Sequence, residues 1–341
     1  MYASFSYKLN LKSSLLGALL TFFIAIVNVS AQYQLPVYTD YLTENYSLLH
    51  PAMAGAHFEG AKVRLTHRAQ WQGVQNAPAL QTLNGHSRLG RRTGFGATFY
   101  RDQNGFQSRV GGLLTYSYHI NFFRSNVQIN QLSFGLSVGG VNSTHDQTSF
   151  DPFLGDPLLT GSKVRSRSLH MDMGFSYNRL GLYAHMTVKN LFFRGNNISD
   201  VVALEKPRSL LFNAGYFVEF SPKWALEPSF MYQAVQYADI PSYDLNLKLH
   251  HHTRNLNAWI GFSYRAGLDT NAYLNTRSSF DQKHQQLTTL VGAEFGVFSF
   301  SYSYTQSLEN INFRPFNSHQ LTLGIDITSE KFRIYPVRGL L

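Results

Sequence analysis

Cysteine is absent from all 341 residues, which excludes disulfide staples and any metal centre built on thiolates. Charge is scarce as well. Asp, Glu, Lys and Arg make up 14% of the chain, against about 25% in an ordinary soluble domain. No apolar run beyond residue 31 approaches the roughly 20 residues of a spanning helix, so a membrane role has to be carried by strands. There is no phosphate-cradling glycine loop either, and the 29 Lys and Arg against 20 Asp and Glu are scattered and not clustered. Nucleic acid is therefore not the expected partner; an anionic lipid surface or a protein fits the basic excess better.

The aromatic residues are abundant. Phe, Tyr and Trp reach 15%, with 27 Phe and 20 Tyr, yet mean hydropathy stays slightly below zero. A chain that is ring-rich, charge-poor and not hydrophobic on average suits a wall that is apolar outside and polar inside.

Residues 1–31 read as an export signal. Lys8 and Lys12 form the positive start, Leu15 to Val27 the apolar run, and Val29-Ser30-Ala31 a small-residue cleavage site. Asn28 interrupts the run and keeps it short for a membrane anchor. Export by this route places the mature protein beyond the inner membrane.

Period-two alternation then recurs through the chain. In FSFSYSYT, Phe298, Phe300, Tyr302 and Tyr304 share one face and Ser299, Ser301, Ser303 and Thr305 the other. In a soluble sandwich the rings pack a core; in a membrane barrel they face lipid and the hydroxyls line a wet lumen. Strands are expected near 62–71, 79–88, 94–101, 108–120, 127–142, 167–178, 181–190, 208–220, 223–235, 243–250, 255–266, 286–297, 298–306 and 318–328. The even count is that of bacterial barrels. Long connections at 143–166, 191–207, 267–285 and 307–317 alternate with short ones, as a barrel with extracellular loops and periplasmic turns requires. The reading is an all-β transmembrane antiparallel barrel of about 14 strands over 62–328, with an N-terminal plug or periplasmic segment at 32–61 and a tail at 329–341, located in the outer membrane.

On the first strand Lys62, Arg64, Thr66, Arg68 and Gln70 share the lumen face; Arg109, Arg167 and Lys189 are assigned the same inward parity. His67 falls on the apolar face and does not fit the pattern. Short connectors carry Arg91, Arg92, Arg124, Arg179, Lys223 and Arg254, which is either ordinary turn solvation or a basic periplasmic rim for an acidic partner.

Catalytic and metal patterns are weak. Gly135-Leu136-Ser137-Val138-Gly139 matches a nucleophile elbow, but the serine sits in a strand with no helix to follow. His250-His251-His252 puts only two imidazoles on one face, with no carboxylate beside them in the chain. Asp146, Asp151 and Asp156 lack the spacing of a calcium loop and read as turn formers. No catalytic residue, metal or cofactor is assigned. A hydrolase would predict activity lost on changing a serine such as Ser137.

One stretch goes beyond barrel physics. Pro51, Ala52, Ala54 and Gly55, then Arg68, Gln70, Trp71 and Gly73, then Ala77, Pro78, Gln81 and Thr82 resemble the opening of the PorP/SprF family of type IX secretion proteins of the Bacteroidetes. His50 stands where that family usually has Asn, and Met53 where it often has Tyr. The resemblance implies a non-enzymatic outer-membrane component that works with periplasmic secretion and gliding machinery, or helps export and anchor a large adhesin. The rival reading is a passive, anion-preferring solute channel whose lumen carries a ring of Lys and Arg.

Overall fold

The computed structural model describes residues 44–56, 60–71, 73–74, 76–122, 130–148, 161–195, 208–236, 241–253, 256–267, 285–308 and 317–328. The signal, the tail and much of the expected long connections lie outside them.

Fifteen strand segments form one antiparallel sheet: β1 (Gly60–Gln70), β2 (Ala79–Leu89), β3 (Thr93–Asn104), β4 (Gln107–Asn121), β5 (Asn130–Asp146), β6 (Lys163–Arg179), β7 (Leu182–Gly195), β8 (Ser209–Tyr216), β9 (Val218–Ser221), β10 (Trp224–Val235), β11 (Ser242–His252), β12 (Leu256–Gly267), β13 (Gln285–Phe295), β14 (Phe298–Ser307) and β15 (Asn317–Thr328). β8 and β9 both pair with β10 and are two halves of one strand, so the wall has fourteen. β1 pairs with β15 along its whole length, from Gly60↔Thr328 to Gln70↔Ser318, and closes the barrel. Closure leaves no edge, so every strand finds backbone partners on both sides without water.

The break between β8 and β9 has a local cause. Their pairing with β10 stops at Gly215↔Ser229 and resumes at Val218↔Leu226, and Pro228 stands in the gap with no N–H to donate. Phe217 turns its own N–H to the Gly181 carbonyl at 2.9 Å instead. A second irregularity lies between β6 and β7, where the register shifts from Met171↔Phe192 to Met173↔Val188. The amide of Asn190, released there at φ 55°, donates to the Asp172 carboxylate at 2.9 Å.

Alternation sorts the side chains as the sequence predicts. Ser299, Ser301, Ser303 and Thr305 are buried, while Phe298 and Phe300 are exposed. Leu65, Leu83, Phe99, Leu114, Val138 and Leu169 are exposed apolar residues on other strands. Inside a barrel the usual relation of apolar-in and polar-out is inverted, and these residues form the lipid-facing band. Short turns at Gly90–Arg92, Leu180–Gly181, Pro222–Lys223 and Gly296–Val297 gather at the end where β1 begins and β15 finishes, which is the periplasmic end by the rule that short turns mark it.

One assignment of parity is corrected. Lys189 is buried and inward, and Arg109 is inward too, but Arg167 lies on the exposed side of β6 with Leu169 and Met173. The alternation of that strand itself demands this.

Candidate functional site: a plug seated in the lumen

Residues 44–56 do not join the wall; they pack inside it. Tyr46–Leu49 form a single helical turn, α1, and Pro51–Met53 a 3-10 turn. His50, the residue before proline, is extended at φ −117°, ψ 107°, as steric clash with the pyrrolidine ring requires. Pro51 then starts the next turn with its fixed φ. Gly55 ends the segment at φ 67°, a backbone conformation that side chains with a Cβ resist.

The Pro-Ala-x-Ala-Gly element lies directly on wall glycines. A Cβ at Gly135 would stand 2.1 Å from the Ala52 nitrogen, and one at Gly94 2.1 Å from the Ala54 carbonyl oxygen. At Gly174 a Cβ would meet Thr187 Oγ1 at 2.6 Å and Pro51 Cδ at 3.2 Å. The missing side chains on β3, β5 and β6 are the space into which the backbone fits.

Hydrogen bonds fix the register. The Gly55 N–H donates to His86 Nδ1 at 3.1 Å, and Arg88 Nη1 donates to the Gly55 carbonyl at 3.3 Å. The Ser117 hydroxyl donates to the Ala54 carbonyl, and His119 Nε2 lies 3.1 Å from the same oxygen. His119 is held from behind by Ser133 at 2.8 Å. Lys189 donates to the Leu48 carbonyl at 3.3 Å and pairs with Asp172 at 3.2 Å.

Two further anchors tie the segment to the opposite wall. Leu49 is 0% exposed and packs with lumen-facing Leu211 and Met231. The Tyr46 hydroxyl donates to Tyr183 at 2.8 Å, and Tyr183 donates to Glu227 at 2.7 Å. Glu227 also meets His250 Nε2 at 2.9 Å, and Lys248 reaches Glu44 at 3.3 Å. The histidine run thus has a carboxylate beside it after all, supplied across the ladder by β10 and invisible to adjacency in the chain. The rings of His250 and His252 stack 6.0 Å apart on the lumen face, while His251 packs on Trp224.

His50 carries a pH dependence. Its Nδ1 lies 2.9 Å from Thr187 Oγ1, and its buried Nε2 has no partner among the described residues. Burial first, then the nearby His185 and Lys189, hold its pKa well below the ordinary value. A released plug takes up that proton near pH 6.5 and a docked one does not, so docking is strongest above this value and weakens as pH falls. Amide protection over 46–56, taken relative to the intrinsic exchange rate at each pH, is expected to fall below about pH 6.5, and less steeply in His50→Asn; equal slopes would remove His50 as a contributor.

The motif residues do not form one site. Pro51, Ala52, Ala54 and Gly55 are in the plug, whereas Arg68, Gln70, Trp71, Gly73, Ala77 and Pro78 lie at the opposite end of β1 and in its connection to β2. There the Gln70 N–H donates to the Pro78 carbonyl at 2.9 Å, and Trp71 and Gly73 adopt φ 48° and 88°. Arg91, Arg92, Arg179 and Lys223 are exposed at the plugged end; Arg124 and Arg254 lie outside the described residues. Ser137 sits in mid-strand, bonded to Thr115 at 2.7 Å. Asp146 closes a turn with Thr148 at 2.6 Å, and Asp151 and Asp156 are outside the described residues.

The lumen cations are largely matched. Arg64 pairs with Asp326 at 2.7 Å and approaches Glu294 at 3.9 Å, Lys62 pairs with Asp326 at 3.4 Å, and Arg265 with Asp244 at 2.8 Å. A cleft beside the plug is lined by both signs, including Lys62, Arg64, Glu44 and Glu227.

A closed fourteen-stranded barrel with an apolar outer band defines an outer-membrane protein. Among solved structures it is similar to the CymD monoaromatic hydrocarbon channel, at 14% identity and TM-score 0.52 over 86% of this chain and 94% of that one. It is also similar to the toluene transporter TbuX of Ralstonia pickettii, at 10% identity and TM-score 0.50 over 82% and 92%. At such identities the likeness is one of fold. No curated protein matches it in sequence. Residues 30–325 match the family described as type IX secretion system membrane protein PorP/SprF, and the chain belongs to that family.

Proposed function

We propose that this barrel is a non-enzymatic docking component of type IX secretion, which helps export or surface-anchor a large exported protein such as an adhesin. The observation that carries the reading is the plug: the family's own Pro-Ala-x-Ala-Gly element is used to fill the lumen, with Pro51, Ala52, Ala54 and Gly55 all buried. A wall stoppered by its most distinctive segment serves binding better than bulk passage. The extracellular connections contact the exported protein, and the periplasmic rim contacts machinery subunits.

The channel reading draws support from the polar lumen. Against an anion filter, the ion pairs of Lys62, Arg64, Lys189 and Arg265 leave no ring of unmatched cations at those positions. Conductance in planar bilayers separates the two. The plugged chain is expected to show little current, and steady anion-selective steps would put the channel first.

The partner role is tested by capture. The tagged chain, extracted from its native membrane in mild detergent, is expected to bring an exported adhesin or machinery subunits with it. Changing Arg91, Arg92 and Lys223 to Ser is expected to reduce recovery of periplasmic subunits several-fold while the barrel stays folded. Unchanged recovery would end the rim as a docking surface.

A further inference from the structure

The outward face of the wall is not uniformly apolar. On β1, β2 and β3 the lipid-facing series of Leu65, Leu83 and Phe99 is followed, one step nearer the extracellular end, by His67, Gln81 and Arg101. These three are registered side by side, His67↔Gln81 and Gln81↔Arg101. Further round the barrel, the step after Leu169 brings Arg167 opposite Asn142, and the next brings Arg165 opposite Thr144. His67, Arg101, Arg165 and Arg167 are all exposed.

Charge is sorted across the wall. Among the described residues, Asp102, Asp172, Glu227, Asp244, Glu294 and Asp326 follow the inward alternation of their strands. Asp146, on the outward side, is taken by Lys163 at 2.8 Å. Arg101, Arg165 and Arg167 have no ion pair among the described residues. The lumen has absorbed the carboxylates, and the outer face keeps unpaired guanidinium groups just past its apolar band.

We propose that this row binds the phosphate groups of outer-leaflet lipid. A guanidinium above an apolar band lays its methylene stem along the acyl region and its charged fork at headgroup level. That fork matches two phosphate oxygens at once, which an ammonium does not. His67, anomalous for a lipid-facing position, then lies at the headgroup boundary beside Gln81, where an imidazole can hydrogen-bond to a phosphate or sugar. Two apolar steps below it, Val63 and Leu65 remain in hydrocarbon.

The test uses the full folded chain in phosphatidylcholine nanodiscs, with bound lipid counted by native mass spectrometry. Bisphosphorylated lipid A and its dephosphorylated form are the two probes. The unaltered chain is expected to retain the first on the order of tenfold more than the second, an advantage that shrinks in high salt. The R101S/R165S/R167S variant is expected to lose that preference. R91S/R92S, at the opposite end, is expected to keep it.

Equal retention of both lipids by the unaltered chain overturns the proposal, and that comparison stands whether or not any variant folds. A folded triple variant that keeps the preference also overturns it. So does one that keeps lipid but loses an exported protein, which would assign the row to an acidic protein partner.

Discussion

Leu49→Asp is expected to unseat the plug and turn a nearly silent barrel into a conducting one. Leu49 is 0% exposed against Leu211 and Met231, and truncating such a side chain to Ala alone costs about 2–5 kcal/mol. A carboxylate buried against Leu211 and Met231 costs more, because it must be desolvated and the nearby Lys189 is already paired with Asp172. The wall does not depend on Leu49, so the variant is expected to fold and to migrate as a closed barrel. Planar-bilayer recording checks the outcome: long-lived openings for Leu49→Asp, and near-silent behaviour for Leu49→Met, which conserves volume. Closed behaviour in the Asp variant would show that the apolar seat does not hold the segment.

Gly135→Leu approaches the same state from the wall. The first added carbon would overlap the Ala52 nitrogen at 2.1 Å and the Pro51 carbonyl carbon at 2.2 Å. These are backbone atoms, and no rotamer change relieves them. The strand itself accepts leucine, so the expected result is expulsion of residues 46–56, read as amide exchange faster by orders of magnitude with the strands still protected. Gly140→Ala is the control, since its added carbon would meet only Leu169 Cδ2 at 3.4 Å and the Ser168 carbonyl at 3.6 Å. Protection retained in Gly135→Leu would mean that the plug is held by its far anchors alone.

Much of the wall was legible from period two alone. Every expected strand between 62 and 328 has a counterpart, with ends shifted by a few residues, because alternation is dictated locally by the pleat. What alternation cannot reveal is which inward side chains meet across the lumen. Glu227 reaches His250 because β10 and β11 are adjacent, and Gly135 meets Pro51 because the plug folds back over β5. Both contacts depend on strand order and chain path, and neither leaves a local pattern. The motif residues are close in sequence, yet β1 carries their two groups to opposite ends of the barrel.

The seat of the plug also bears on how such a barrel is assembled. Its parts come from β2 through β8 and from β10 and β11, with Gly94, Gly135, Thr187, Leu211, Met231 and Glu227 distributed around the circumference. A partly built sheet offers only fragments of this surface, and the apolar, glycine and tyrosine anchors come together only when the wall has curled into a ring. Docking of residues 44–56 therefore ties together inward faces from β2 through β11, which the sheet ladder by itself joins only neighbour to neighbour.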